Sequence, residues 1–257
     1  MKSMLYSIKG EKKGEISLPS IFDEKIREDI VAKYYEAEKF KKMQPYFAYK
    51  EAGKRHSASG TISHRRHEWK GHYGKGMSRA PRKVMWRLGV QFFWVGAEVS
   101  GARGGRQPHP PKPNYIRKIN KKEVIRAMHS AIASTSSESC FKKRYSAISK
   151  LSIKIPIIIE SAPKKAKDIL FLLKAILGEN FSIALKKKTI RHGKGKLRGR
   201  KYKSNAGLLL VTAKNENIKM KGIDIKRANS LEISDLYPLG RLTIFTQKSL
   251  NELGDKK

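Results

Sequence analysis

The spacing of apolar residues changes several times along this chain, and each change predicts a different element. Over residues 3–18, Met4, Tyr6 and Ile8 alternate with polar neighbours up to Gly10, and Ile16 and Leu18 follow Gly14. That is the period of a strand pair or of a strand and turn. Phe22, Ile26, Ile30, Tyr34 and Ala37 then fall on one face of a 3.6-residue period, which predicts a helix over 23–42. Val124, Met128, Ala131 and Ile132 make a second such face over 120–135, with Asn120 and Glu123 spaced as a capping box. The run IKIPIIIE at 153–160 is continuously apolar and β-branched, as suits a strand buried on both faces. Ser161 and Pro163 open a third helix, with Ala166, Ile169, Leu170, Leu173 and Ile176/Leu177 inward and Gly178 ending it. Further strands are expected at 181–185, 208–211, 223–225 and 242–245, and a C-terminal helix from about Lys248. Strands alternating with helices predict an α/β fold, a mostly parallel sheet flanked by helices.

Between the first two helices this patterning fails. Residues 44–113 carry no helical period, yet hold ten of the twenty glycines, all three tryptophans and five of the seven histidines. From 41 to 113 there are sixteen Lys or Arg against three acids, Glu51, Glu68 and Glu98. Only from Val84 to Trp94 do even positions stay apolar, a strand signal that fits either a ribbon packing on itself or direct stacking on bases. So long a structureless stretch is uncommon inside a compact domain, and it cannot bury enough apolar surface to offset its ordering entropy. The expected organisation is a globular α/β domain of residues 1–43 and 114–257, with 44–113 as a long extended basic loop protruding from it. A second basic run, 186–203, has ten Lys or Arg and no acid. The two runs hold most of the net charge of +35.

That charge, with a sequence pI near 10.3, destabilises a compact chain by self-repulsion unless counter-charge is bound. Nucleic acid supplies it with release of counterions. A membrane surface would call for an amphipathic basic helix, whereas these cations lie mostly in Gly-rich, non-helical stretches. The N-terminal MKSMLYSIKGEKKG lacks the apolar core of a signal peptide, and no apolar run approaches the ~18–20 residues of a membrane span. Cys140 is alone, so no disulfide framework or thiolate metal site is expected. A cytoplasmic, reducing location follows.

Catalysis on phosphates needs carboxylates near the basic groove. The first run has three isolated glutamates and the second none; Asp224 and Asp235 are the nearby acids on which an RNA-processing or modification enzyme with a basic RNA-binding arm would depend. His64, His67 and His72 come without Cys or Asp and are flanked by Arg65, Arg66 and Lys70, a setting for phosphates or bases before metal. Cys140 fits a small buried hydrophobe. Gly71-His-Tyr-Gly74-Lys-Gly76 and Gly193-Lys-Gly195 do not match the nucleotide-binding loop, and their glycines suit close backbone approach to phosphate. No catalytic residue, metal or cofactor is expected.

Binding residues are abundant instead. Lys54, Arg55, His56, Arg65, Arg66, Lys70, Lys75, Arg79, Arg82, Lys83, Arg87, Arg103, Arg106, His109 and Lys112 run along the first stretch, interleaved with Trp69, Tyr73, Trp86, Phe92, Phe93 and Trp94. Arg198, Arg200, Lys201 and Lys203 stand in the second. Basic and aromatic residues together suit RNA, with its unstacked bases and crowded phosphates. A nonspecific condenser of nucleic acid would need no ordered α/β core.

Several motifs carry a resemblance that spans the whole chain: Gly74-Lys-Gly76-Met-Ser-Arg79-Ala-Pro81-Arg82; Gly105-Arg106-Gln-Pro-His109-Pro110-Pro111-Lys112; Asn120-Lys-Lys-Glu123 with Ser130-Ala-Ile-Ala133; Gly193-Lys-Gly195-Lys-Leu-Arg198-Gly199-Arg200-Lys201-Tyr202; and Gly240-Arg241-Leu-Thr243. Together they resemble the family of the universal protein four of the large ribosomal subunit, in its archaeal and eukaryotic form. The resemblance implies a non-catalytic structural constituent, with its globular domain on the outer surface of the subunit and its loop threaded through ribosomal RNA. It implies as partners the large-subunit rRNA, neighbouring large-subunit proteins, and the nascent peptide at the exit-tunnel wall. It also implies binding early in assembly. By motif position the tunnel-facing tip is Gly71, His72, Tyr73, Gly74, Lys75, Gly76 and Met77.

Overall fold

A computed structural model describes residues 1–58, 64–69, 71, 73–111, 116–145 and 153–254 of the chain. The chain divides into two units, Met1–Lys42 with Ile116–Lys257, and Met43–Tyr115. In chain order the elements of the first unit up to the break are β1 (Lys2–Tyr6), β2 (Lys12–Ser17) and α1 (Glu28–Lys42). The second unit holds β3 (Arg82–Leu88) and β4 (Gln91–Gly96). The first unit resumes with α2 (Lys121–Ala133), α3 (Glu138–Arg144), β5 (Ile157–Ile159), α4 (Ala166–Leu177), α5 (Phe181–Ala184), β6 (Lys188–Ile190) and β7 (Tyr202–Ser204). It ends with β8 (Leu209–Thr212), β9 (Asp224–Arg227), α6 (Ile233–Leu236), β10 (Thr243–Thr246) and α7 (Gln247–Gly254).

Six strands form one sheet in the order β2-β1-β5-β10-β8-β9. All neighbours pair in parallel except the edge hairpin β1–β2. Strand side chains alternate between faces, and at the central strands β5, β8 and β10 both faces are dry. Ile158, Leu209, Val211 and Phe245 join a core with α1, α2, α6 and α7. Ile157, Ile159, Leu210 and Ile244 join a second core with Phe141, Ile169, Leu172, Leu173 and Ile176. This is why the central strands β5, β8 and β10 read as apolar runs without alternation. Each such side chain, when fully buried, contributes roughly 1.5–3 kcal/mol.

Several boundaries differ from the pattern-based expectation. Residues 181–185, expected as a strand, form the single helical turn α5, entered directly from a 3-10 turn at Gly178–Asn180. A five-residue apolar run has no periodicity that separates the two states, and here Ala184 packs inward from a helical turn. Strand β5 is only Ile157–Ile159, and it begins directly after Pro156, which has no N–H to give to a ladder. Helix α1 starts at Glu28, since Glu24 is extended and the Arg27 backbone N–H donates to Ser130 Oγ at 2.6 Å. Helix α4 starts at Ala166, not at Ser161, and Leu172, not Leu170, is buried. Asn120 occupies the N-cap position of α2 but its side chain caps nothing. Glu123 hydrogen-bonds the Asn120 backbone, the other half of the box, and reaches across to Lys33 Nζ at 2.9 Å. Among the described residues, no helix is long and apolar enough to cross a membrane.

One buried cation fixes the end of the sheet from which the basic hairpin β6–β7 departs. Arg241, only 4 % exposed, donates to the carbonyls of Asp235 at 2.6 Å, Ala206 at 2.7 Å and Gly207 at 3.2 Å. It also donates to the Asp224 carboxylate at 2.5 Å, which Lys186 holds from the other side. Burial pushes the Asp224 carboxyl up, but the hydrogen bonds from Lys186 and Arg241 outweigh it and hold the group below its ordinary range. A carboxylate depressed in the fold adds stability that is full above its unfolded pKa, about 4, and is lost as pH falls through the lower folded value. Removing the guanidinium leaves the carbonyls of Asp235, Ala206 and Gly207 without their donor and Asp224 with Lys186 alone. We therefore expect Arg241→Met to cost about 3–5 kcal/mol in urea unfolding at neutral pH. In Asp224→Asn, stability measured from pH 6 to pH 3 should fall less steeply than in the native chain.

Candidate nucleic-acid interface

The second unit is almost all surface. Ala97 is its one buried side chain among the described residues. Its cations have few acids near them in sequence: fourteen Lys or Arg stand against Glu51, Glu68 and Glu98. The ion pairs found among the described residues all lie in the first unit, between residues such as Lys33 and Glu123 or Lys143 and Glu28. Lys54, Arg55, Arg65, Arg66, Lys75, Arg79, Arg87 and Arg103 are exposed, as is His109; Arg82, Lys83, Arg106 and His56 are half-buried. Lys70, His72 and Lys112 lie outside the described residues.

Where these groups do meet neighbours, the partners are rings and carbonyls. The Arg55 guanidinium sits 4.2 Å from the Tyr49 ring centre and that of Arg79 5.6 Å from Tyr73. Arg82 donates to Ser78 Oγ at 2.9 Å and to the Ser78 carbonyl. His56 Nε2 lies 2.8 Å from the Gly53 carbonyl. None of these contacts neutralises charge. His64 packs edge-on to Tyr73 at 5.0 Å. Among the described residues, no three His, Cys, Asp or Glu side chains gather as a metal site.

Of the expected tip residues, all but His72 lie among the described residues. The Gly71 backbone N–H closes a turn onto the Glu68 carbonyl at 3.0 Å, and Gly74 and Gly76 take positive φ of 79° and 72°. Gly74, Lys75 and Gly76 are exposed, while Gly71, Tyr73 and Met77 are half-buried. The strand signal at 84–94 resolves as the hairpin β3–β4.

Two glycines close the segment on itself. Gly53, at φ 80°, lies against Gly105, so that a Cβ on Gly53 would stand 2.3 Å from the Gly105 carbonyl oxygen. A Cβ on Gly105 would stand 1.9 Å from the Val99 carbonyl oxygen. The chain before Arg55 and the chain before Arg106 are thus held backbone to backbone.

In the first unit, the run 186–203 forms the hairpin β6–β7 around a 3-10 turn at Lys194–Arg198. Arg198, Arg200, Lys201 and Lys203 are exposed on it. Lys187, Lys188, Lys194 and Lys196 are exposed beside them, and the sequence reading did not single them out. Lys186 belongs elsewhere: it is spent on Asp224. Asp235, the other acid on which catalysis would depend, caps α6 with Glu232 and pairs with Lys226 at 3.3 Å. Neither aspartate is left for a reaction. The role of Arg241 was missed because one arginine in a loop gives no sign in sequence of the carbonyls that converge on it.

A mostly parallel α/β core with two carboxylate-poor cationic surfaces defines a binding protein for a polyanion. Comparison identifies which. A profile of the Ribosomal protein L4/L1 family matches residues 16–256. The chain is 36 % identical to "Large ribosomal subunit protein uL4" of Nanoarchaeum equitans, over 100 % of this chain and 99 % of the relative. It is 36 % identical to the protein of that name in Thermoplasma acidophilum, covering 98 % and 97 %, and 34 % to that in Methanosphaera stadtmanae, covering 99 % and 96 %. The chain belongs to this ribosomal protein family, in its archaeal form.

Replacing Gly105 by Ala should force the turn at 97–106 open at a local cost of about 1–3 kcal/mol. Limited proteolysis of Gly105→Ala should then cut faster around residues 97–106, while the urea midpoint of the α/β core stays unchanged.

Proposed function

We propose that the chain is a structural, non-catalytic constituent of the large ribosomal subunit, bound to large-subunit rRNA through residues 43–115 and the hairpin β6–β7. The observation that carries this reading is the exposed cations of these two regions, with none of those in 43–115 ion-paired among the described residues. Phosphates are the ligand such a surface takes, and each one neutralised releases counterions. The family and its relatives, named as large-subunit proteins, give the particle. The enzymatic alternative has no support: Asp224 and Asp235, the acids it would use, are engaged by Lys186, Arg241 and Lys226.

The finer part of the reading is that residues 44–113 enter the rRNA as an extended loop early in assembly, with Gly71–Met77 near the nascent peptide in the exit tunnel. Its cations Lys54, Arg65, Arg66, Arg79, Arg82, Lys83, Arg103 and Arg106 neutralise phosphates where RNA helices crowd. Arg198, Arg200, Lys201 and Lys203 hold the core to a second RNA surface, beside neighbouring large-subunit proteins. An almost coreless unit suits a segment that is held in place by its ligand.

Crosslinking in growing cells, with sequencing of the attached RNA, tests this. The intact chain should give a few sharp sites on large-subunit rRNA, and a chain lacking residues 50–110 should lose some and keep those of the β6–β7 hairpin. Crosslinks scattered over messenger RNA would overturn the reading.

A further inference from the structure

The hairpin β3–β4 has two unlike faces. Residues alternate across it, and the register pairs Val84 with Trp94, Trp86 with Phe93, Arg87 with Phe92, and Leu88 with Gln91. The register shift between Val84 and Trp86 leaves Met85 as the extra residue. One face therefore carries Phe92 and Trp94, and the ring of Trp69 meets Phe92 edge-on at 5.8 Å. The other face carries Trp86 and Phe93, whose rings lie stacked, 3.9 Å apart and 5° from parallel. That second face is open: Trp86 is 50 % exposed, Phe93 40 % and Leu88 66 %. Lys83, opposite Val95, lies on the same side as Phe93. No acid occurs between residues 69 and 97.

We propose that this open face is a base-stacking platform, on which an unpaired nucleobase of RNA extends the Trp86–Phe93 stack while Lys83 meets its phosphate. The inference rests on the RNA-binding reading above and adds the chemistry recognised, an unstacked base as well as phosphate. Three observations select this occupant. The two rings are already parallel, so a base adds a further layer with no rearrangement. Residues 69–97 carry Lys or Arg at six positions and no carboxylate, which favours a polyanion over an ordinary protein surface. Gln91, opposite Leu88 on this face, offers an amide to a base edge. Duplex RNA keeps its bases stacked inside and offers such a face nothing.

The test uses the full chain and two RNA hairpins, identical except that one carries a bulged 2-aminopurine. The native chain should bind the bulged RNA about tenfold more tightly and quench the probe, as stacking of one base implies. The double variant Trp86→Leu/Phe93→Leu should lose both effects and keep its affinity and salt slope for the unbulged hairpin. Arg87→Gln, on the opposite side, should weaken both RNAs alike and keep the preference. Unchanged preference in the double variant, or equal loss for both RNAs, overturns the platform. Equal binding of both hairpins by the native chain overturns the platform alone, whereas binding of neither overturns the RNA reading as well. A double variant that alters the chain's self-association in sedimentation, with RNA binding unchanged, gives the face to a protein contact instead.

Discussion

Electrostatic repulsion is the constraint on which this structure turns. The chain carries 57 Lys and Arg against 22 Asp and Glu, and it places 19 of those acids in the α/β unit. Glu38 and Glu232 both hold Lys42, Glu160 holds Lys13, and Glu28 holds Lys143. Exposed pairs of this kind contribute only about 0–1 kcal/mol each, so they are not what holds the core together. Their consequence is distributional: outside residues 43–115 and 186–203 there are 33 Lys or Arg against 19 acids, whereas inside them there are 24 against 3.

The core tolerates such appendages because its own stability comes from elsewhere. A parallel sheet covered on both faces places Ile157, Ile158, Leu209 and Phe245 fully out of water, and that apolar burial does not depend on salt or charge. The one buried charged side chain among the described residues, Arg241, sits at the departure of the basic hairpin. Its donors satisfy carbonyls that no strand partner reaches, and its charge is answered by Asp224. A repelling, ligand-seeking hairpin is thereby joined to the sheet through a neutralised joint.

What could be read in the sequence divides along physical lines. The buried strands were legible because burial on both faces forces runs such as Leu-Leu-Leu-Val, and α2 and α4 because an amphipathic face must recur at helical spacing. The ends of elements were not: Asn120 looked like a cap, yet its side chain caps nothing, and Glu123 also pairs with Lys33 across helices, a contact that local spacing cannot contain. Residues 181–185 were ambiguous in the same way, too short for a period and decided by the turn that precedes them. In the candidate interface, residue type was enough to mark Arg65, Arg66 and Arg198 as exposed. It could not separate Lys186, committed to Asp224, from Lys187 beside it. Nor could it assign Trp86 and Phe93 to one side of a ribbon and Phe92 and Trp94 to the other, because the bulge at Met85 changes the register.

The central claim is that these cations await phosphates, and the salt dependence of binding tests it most directly. The affinity of the full chain for large-subunit rRNA, measured across salt concentrations, should fall with a log–log slope equivalent to about six or more phosphate contacts. Replacing Arg198, Arg200, Lys201 and Lys203 by Gln should reduce that slope by about three. A shallow slope, unchanged by the four substitutions, would contradict the account, since it would mean that the charge concentrated on these surfaces does not meet the RNA.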